Sequence, residues 1–537
     1  MDPFSLTVGS LSIADICIRY GNELVKRYQA FRNAEQETQE TLLMLENHWV
    51  KMEHQIQFLN SIWDSLDSEL QTHQLSVLRV LQGRLQAAIL IVDGLHGDTK
   101  EESSTKQLMR KRGDIKRLKY AVLVKERLQK AVEELREWSS MFDPSWFLII
   151  SVRNPRIDET LTEQSSIHSG PVSELKTLRD AVNTDESLDG TNKSMFMSPT
   201  DIASGRTPID FSSSQVAMEA HNDRSTYIID TMSLHPQANV QATTKDVRHL
   251  ARTLSAMIPL TFGLLRCQGV IRNLPPTSNS PKAPPKVGSA IPLYNFEFVF
   301  AIPQGLRAPQ SLRGLLLSPV QEHPLDERFE VAKRLANSIM FVHNAQFVHK
   351  NISSETILLL KNESSVLGMP FLVGFEKFRL ADGKTYHIGD SKWQQNLYRY
   401  PTRQGMRPGE EYRMQHDIYS LGVCLLEIGL WSSFVLYDSR NHGPKPCPEL
   451  AITLDSQEKD FRTKAFEVKR TLIDLARKRL PSRMGQRYAE IVESCLTCLD
   501  KTNPDFGNER EFMDEDGVLV GVRYIEKILS KLQEISI

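Results

Sequence analysis

The chain has 537 residues, of which 25% are charged and 40% hydrophobic, and its formal net charge at pH 7 is −2. This length predicts two or three domains, since a single domain usually holds about 100–200 residues. The small net charge excludes a generally basic protein that binds nucleic acid over its whole surface. Six cysteines in so long a chain indicate a reducing compartment without a disulfide framework, which favours a cytoplasmic location.

The first 150 residues predict an N-terminal helical bundle. Apolar residues repeat at alternating three- and four-residue steps from Leu42 to Leu66, a seam typical of a long helix in a bundle or coiled coil. Two further apolar series run from Leu78 to Leu95 and from Leu118 to Phe142. Because the breaks between them are short, antiparallel neighbours are favoured. With a first helix near the N terminus, residues 1–150 are predicted to form a four-helix bundle.

Two features of this domain concern membranes. As a helix, Phe4–Ile18 would be about 22 Å long, shorter than the ~30 Å hydrocarbon core, so it is not a constitutive anchor. The stretch from Lys106 to Lys130 carries ten positive and two negative residues, and basic residues near an anionic bilayer contribute about 1 kcal/mol each. The alternative is a solvated helix face, and nucleic acid is disfavoured because aromatic residues are scarce here. The residues proposed to contact a membrane are Arg110, Lys111, Arg112, Lys116, Arg117 and Lys119.

Residues 153–225 are rich in Ser, Thr, Asp, Asn and Gly, a composition that predicts a flexible linker. The rest of the chain, residues 226–537, begins with alternating strand patterns at Thr226–Leu234 and Tyr294–Ile302. Farther on, Leu325–Val342 repeats apolar residues at helical spacing. Residues 226–537 are therefore predicted to be one domain with strands first and helices later.

The loop after that helix has the spacing of a protein kinase catalytic loop, which reads His-Arg-Asp, four residues and Asn. Here the same positions hold His349, Lys350, Asn351 and Thr356. Asn351 replaces the aspartate that acts as the base, and a neutral amide cannot accept a proton at any working pH. Thr356 replaces the asparagine that holds magnesium. The loop therefore resembles a kinase catalytic loop whose reactive groups are lost.

A second kinase motif, Asp-Phe-Gly, is replaced by Gly374, Phe375 and Glu376. Gly374 offers no oxygen to magnesium, a hard cation that prefers oxygen ligands. The segment from His416 to Glu427 resembles the central helix of a kinase C-lobe. In that family its aspartate, here Asp417, braces the backbone of the catalytic loop, which is a structural role.

The phosphate-binding parts of a kinase N-lobe are also missing from the sequence. The strand Thr226–Leu234 contains no lysine, the helix predicted at Lys245–Met257 contains no glutamate, and no Gly-x-Gly-x-x-Gly occurs. The predicted fold class is therefore multidomain, with a helical bundle followed by a bilobal α+β protein-kinase-like fold. Because positioning and charge neutralisation supply nearly all of the catalysis in phosphoryl transfer, the second domain is expected to be a pseudokinase.

The start of the chain, Met1 to Ala14, resembles the start of HeLo and HeLo-like domains of fungal heterokaryon-incompatibility proteins of the prion-inhibition type. The pairing of such a bundle with the sequence Phe142-Asp143-Pro144-Ser145-Trp146-Phe147 and a degenerate kinase is similar to a known fungal architecture. The resemblance implies a cytoplasmic signalling protein in incompatibility or regulated cell death. It also implies that the pseudokinase controls a helical effector recruited to membranes on activation.

Three hypotheses of function follow. The first is a non-catalytic regulator with no catalytic, metal or cofactor site, which acts through protein partners, through self-association of its bundle, or at an anionic membrane. The second is an atypical ATP- and magnesium-dependent protein kinase that uses Lys350 or Glu376 in unusual roles. The third is a cytosolic scaffold without membrane activity. The trigger, the oligomeric state and the start of the N-lobe are left open by the sequence.

Overall fold

The structure is a computed structural model, and the residues that it describes fall into several ranges. These are 12–29, 36–100, 110–166, 170–183, 194–220, 222–234, 239–273, 295–319, 323–363, 365–375, 378–380, 392–406, 408–437, 443–450, 452, 461–508 and 518–535. The chain divides into two compact units, Met1–Thr177 and Leu178–Ile537.

The first unit is helical, as predicted. Its helix α1 contacts α2 and α3, and α4 also contacts α2 and α3. All eight apolar residues of the seam from Leu42 to Leu66 are buried, which confirms the heptad-like spacing. The helices are α1 (Ile13–Gln29), α2 (Gln36–Ser61), α3 (Ser68–Lys100), α4 (Arg110–Phe147), α5 (Pro155–Ser165) and α6 (Pro171–Asn183), the last of which crosses the boundary between the units.

The motif at the end of α4 is part of the core of this unit. Trp146 is fully buried and meets Phe58 of α2 edge to face at 5.5 Å between ring centroids. Asp143 forms an ion pair with Lys51 of α2, with 2.7 Å between Oδ2 and Nζ. The Ser145 hydroxyl lies 2.7 Å from Nε2 of His73 in α3. The aromatic and polar residues of this motif therefore fasten α4 to both neighbouring helices.

The interval 153–225, expected to be a flexible linker, instead contains regular structure in its described residues. Helix α5 starts with Asn154 as N-cap, whose side chain accepts from the Arg156 N–H, and Pro155 follows in the first turn. Ile157 and Leu161 bury one face of this helix. Three strands follow in the second unit. Capping and apolar spacing thus outweigh the polar composition on which the expectation of a linker rested.

A six-stranded sheet forms the first part of the second unit. Its spatial order is β1-β5-β6-β4-β3-β2, and every pair except the parallel β1 and β5 is antiparallel. Helix α7 packs against β5. The strands and helices of this part are β1 (Phe196–Met197), β2 (Ile202–Pro208), β3 (Gln215–Glu219), β4 (Asn222–Ser233), α7 (Val240–Ser255), α8 (Pro259–Phe262), β5 (Arg266–Asn273) and β6 (Asn295–Ala301).

The rest of the second unit is mostly helical, and α10 packs against α12. Helix α12 is buried along its whole length. The remaining elements are β7 (Arg307–Ser311), α9 (Leu312–Leu316), α10 (Leu325–Asn344), β8 (Phe347–Val348), β9 (Ile357–Lys361), β10 (Met369–Leu372), β11 (Arg379–Leu380), α11 (Trp393–Asn396), α12 (Met414–Leu430), β12 (Val435–Tyr437), β13 (Pro444–Pro446), α13 (Phe461–Met484), α14 (Gln486–Thr497), α15 (Val518–Tyr524), a π-helical turn (Ile525–Leu529) and α16 (Ser530–Gln533).

Several predicted membrane features lie beyond what the structure describes. Residues 1–11, which include most of the apolar segment Phe4–Ile18, lie outside the described residues. The basic stretch falls on the backbone of α4 from Arg110 onward, but the side chains of its proposed membrane contacts lie outside the described ones. Within the described ranges, none of the helices combines the length and the apolar character needed to span a bilayer.

Candidate functional site

A buried carboxylate holds the loop that resembles a degenerate kinase catalytic loop. Asp417, in the first turn of α12, is fully buried, and its two oxygens accept the backbone N–H groups of His349 at 2.8 Å and Lys350 at 3.0 Å. The Tyr412 hydroxyl donates to the same carboxylate at 2.6 Å. Lys350 has a φ of +63°, a left-handed conformation that is rare for a residue with a side chain. The paired N–H bonds therefore fix an otherwise unfavourable turn.

Ionised Asp417 is maintained by its donors. Burial by itself favours the neutral acid, but the hydrogen bond and charge of His343, whose Nε2 lies 3.2 Å away, hold the pKa of Asp417 below its ordinary value. Burial also disfavours the charged form of His349 and lowers the pKa of that imidazole to about 4. At pH 7 the loop is therefore held by a carboxylate while His349 is neutral.

The other predicted loop residues are brought together as a closed turn. The Thr356 hydroxyl donates to the Asn351 carbonyl at 2.8 Å and accepts from the Ser353 N–H at 3.0 Å. The Asn351 side-chain amide donates to the Gly374 carbonyl at 3.2 Å. The side chains of Thr356 and Asn351 therefore connect backbone segments of the loop and of Gly374. Because Asn351 is an amide, it cannot act as a general base.

The position predicted to have lost its metal ligand has no room for a side chain. Gly374 has a φ of +86°, and a Cβ placed on it would collide with the methyl carbon of Thr356 and lie 3.3 Å from Nδ2 of Asn351. The packing around Gly374 therefore leaves no space for the carboxylate that a kinase carries at this position. Glu376, considered as a substitute ligand, lies outside the described residues.

A carboxylate that the sequence reasoning missed reaches this same segment. Asp230 lies in the middle of β4, is 1% exposed, and accepts through Oδ2 the N–H groups of Gly374 at 2.9 Å and Phe375 at 3.0 Å. Its other oxygen lies 3.5 Å from the Ser214 hydroxyl. The available signal was an aspartate within the apolar strand Thr226–Leu234, since a buried charge needs partners.

Aromatic side chains fill the space beside these amides. The Phe375 ring lies 4.7 Å from that of His349 and 6.4 Å from that of Phe300 in β6, measured between centroids. Phe378 meets Phe298 at 6.4 Å and Phe347 at 5.9 Å. The surroundings of Asp230 and Gly374 are therefore apolar as well as closely packed.

A second buried polar network ties the loop to the segment before α12. Arg313 of α9 is 0% exposed and donates at 2.6 Å to the Tyr398 hydroxyl, which in turn donates to Oε2 of Glu427 at 2.8 Å. Ser354 of the loop also donates to Glu427. Burial raises the pKa of Tyr398 well above its ordinary value, so the phenol stays protonated as a donor. This network positions Tyr398 and its chain neighbours relative to the loop.

The described residues contain no group of three or more His, Cys, Asp or Glu side chains arranged to hold a metal ion. Compared with models of known protein families, the chain matches none. What the structure defines is a protein with an N-terminal helical region and a mixed α/β unit. In that second unit, two buried carboxylates hold two loops by their backbone N–H groups.

Proposed function

We propose that residues 178–537 form a non-catalytic, protein-kinase-like regulatory module. Three predicted motifs meet in space: the loop from His349 to Thr356, the segment Gly374-Phe375 and the first turn of α12. The contact from Asp417 to the loop backbone agrees with the brace that the kinase resemblance implies. The order of elements, with a sheet first and helices after it, also supports a kinase-like arrangement.

The observation that carries the absence of catalysis is the contact between Asp230 and the N–H groups of Gly374 and Phe375. Phosphoryl transfer relies on cations and donors that neutralise the phosphate oxygens. Here the segment assigned to the metal instead donates its backbone N–H groups to the Asp230 carboxylate. Two donors that could have faced an anion are already engaged. We therefore propose that this segment offers a magnesium nucleotide neither a metal ligand nor its backbone donors.

A nucleotide-binding measurement on the full chain tests this function. We expect ATP at millimolar concentration, with or without magnesium, to leave the melting temperature unchanged. A single-site ligand at 100 times its Kd would stabilise the folded state by about 2.7 kcal/mol, a readily measured amount. A magnesium-dependent increase in the melting temperature, together with transfer of phosphate to a generic protein acceptor, would instead support the atypical kinase hypothesis.

We further propose that this module controls the helical unit as an effector, in fungal incompatibility or regulated cell death. The support is the HeLo-like resemblance at Met1 to Ala14 together with the basic stretch on α4. The effector would be cytoplasmic and recruited to anionic membranes on activation, through self-association or through a protein partner.

Vesicle pelleting with phosphatidylserine separates an effector from a scaffold. The triple variant Lys116→Gln, Arg117→Gln and Lys119→Gln is expected to lose most of the bound fraction, because each basic residue contributes about 1 kcal/mol at such a surface. The matched control carries Lys361→Gln, Lys478→Gln and Arg487→Gln, which remove the same charge from exposed positions of the second unit. Equal pelleting of the two variants, or no pelleting of the wild-type chain, would favour the scaffold.

A further inference from the structure

A tight turn joins β2 to β3 at one edge of the six-stranded sheet. We call this turn, residues 209–214, the tip. Its ends are joined by a hydrogen bond from the Ile209 N–H to the Ser214 carbonyl at 3.1 Å. Phe211 in its middle has a φ of +54°, a left-handed conformation that is strained for a residue with a bulky side chain. Phe211 is also 38% exposed, so the tip carries both backbone strain and an incompletely buried ring.

The tip contacts the mostly helical part of the same unit. The Phe211 ring lies 4.7 Å from the ring of Tyr437 in β12, measured between centroids. The hydroxyl of Ser311, the residue before α9, donates to the Asp210 carbonyl at 2.6 Å. An aromatic pair and a neutral hydrogen bond are each weak interactions. The tip is therefore held against distant parts of the chain by contacts that can be broken without unfolding the unit.

The tip borders a cavity of about 200 Å³. The loop from residue 350 to residue 356 forms one wall of this cavity, and residues 392–399 form another. Ser213 of the tip is among the lining residues, together with Ser420 of α12. The tip therefore closes one side of a cavity whose other walls come from the degenerate catalytic loop and the segment before α12.

Both ends of this arrangement lead into buried polar networks. The hydroxyl of Ser214, at the end of the tip, lies 3.5 Å from Oδ1 of Asp230, one of the two carboxylates that hold loops by their backbone N–H groups. On the opposite side, the Tyr437 hydroxyl donates at 3.2 Å to Oε1 of Glu355, which lies 3.3 Å from Nη1 of Arg313. The position of the tip is therefore linked by direct contacts to both networks.

We propose that the tip is a lid over this cavity and that it opens by breaking the contact between Phe211 and Tyr437. The attraction within one aromatic pair is similar in size to the strain of one left-handed residue. Opening removes both, because Phe211 then returns to an ordinary backbone conformation. The closed and open positions therefore differ little in free energy, and the lid controls access to the loop from residue 350 to residue 356. This proposal does not rest on the proposed regulatory function.

The test is the reaction rate of a thiol placed inside the cavity of the full chain. Ser353 lines the cavity and is half-buried, so Ser353→Cys reports how often the cavity opens to a bulky maleimide. The six native cysteines are buried and react slowly. In this background, Phe211→Ala is expected to speed labelling about fivefold, the change that corresponds to the loss of one aromatic pair. Because Phe211 is partly exposed, its substitution leaves the folded state intact.

Substitutions of the partner ring separate a lid from a general loss of stability. Tyr437→Leu is expected to speed labelling as much as Phe211→Ala does, and the double variant no more than either alone, since both remove the same contact. Tyr437→Phe keeps the ring and should label at the rate of the Ser353→Cys chain. The matched control is Met218→Ala, which removes an exposed apolar side chain from β3 of the same hairpin and should also leave the rate unchanged.

Three results would overturn the proposal. Phe211→Ala could label no faster than Met218→Ala, or the effects of the two ring substitutions could add in the double variant, which would indicate that they act through overall stability. The thiol of Ser353→Cys could also react as fast as that of Ser482→Cys, at an exposed position of α13, and the cavity would then be uncovered.

Discussion

Asp417 and Asp230 use the same device at two places in the second unit. Each is a buried carboxylate that accepts two consecutive backbone N–H groups, those of His349 and Lys350 for Asp417 and those of Gly374 and Phe375 for Asp230. Asp417 reaches its loop from a helix, while Asp230 reaches its loop from the middle of a strand. Both loops contain a left-handed residue, Lys350 or Gly374.

What differs is the consequence for chemistry. The carboxylate of Asp417 binds the loop through backbone N–H groups, so a fold can retain this contact whether or not the protein catalyses a reaction. The carboxylate of Asp230 accepts the N–H groups of the segment from which a metal ligand is missing. The same hydrogen-bonding device therefore supports the fold at one position and, in our proposal, closes the reaction site at the other.

The comparison is tested first at Asp417. The substitution Asp417→Asn removes a charge that His343 and the hydroxyl of Tyr412 also contact, and it sets an N–H₂ group against backbone donors. We expect a loss of about 3 kcal/mol, since breaking a buried charge interaction on one side is costly. Hydrogen exchange measured by mass spectrometry on the full chain should show faster exchange at His349 and Lys350. A control at a half-exposed aspartate of α13, Asp474→Asn, should leave both amides protected.

The corresponding variant Asp230→Asn is expected to cost somewhat less, about 2 kcal/mol, because two buried backbone N–H groups lose a charged acceptor. Exchange at Gly374 and Phe375 should then accelerate about thirtyfold, the change that this free energy corresponds to. The amides of His349 and Lys350 should stay as they are in the wild-type chain. If either substitution speeds exchange at both loops equally, the two carboxylates act through global stability and the comparison fails.

These two residues also differ in how well their contacts could be predicted from the sequence. Asp417 was predictable because its role follows from a short motif, and the chain separation from His349 is only 68 residues. Asp230 is 144 residues from Gly374, and its position depends on the register that pairs it with Phe298 of β6. A single-residue shift of that register would turn its side chain to the other face of the sheet, so only the folded sheet specifies the contact.

The seam from Leu42 to Leu66 and the interval 153–225 show the same difference between local and long-range information. The seam from Leu42 to Leu66 was predicted from spacing alone and is buried throughout, because helical periodicity is a local property of the chain. The interval 153–225 was interpreted from composition, and its strands were missed. Their pairing partners, such as Val270 for Phe196 and Ile229 for Gln215, lie elsewhere in the chain, where composition carries no information about them.

A smaller effect, expressed per unit of pH, tests the Asp417 side of the comparison. Burial lowers the pKa of His349 from its ordinary 6.5 to about 4, so between these values the unfolded chain binds a proton that the folded chain does not. Stability is therefore fully present above pH 6.5 and falls as the pH drops towards 4, by about 1 kcal/mol per pH unit for this histidine. His416, whose pKa burial lowers to about 3, acts in the same direction. Hydrogen exchange at His349 and Lys350, measured on the full chain in urea at several pH values, should show this slope in the free energy of unfolding. In His349→Phe the slope should be smaller by the contribution of about one bound proton. An unchanged slope in that variant would mean that other groups control the acid sensitivity of the loop.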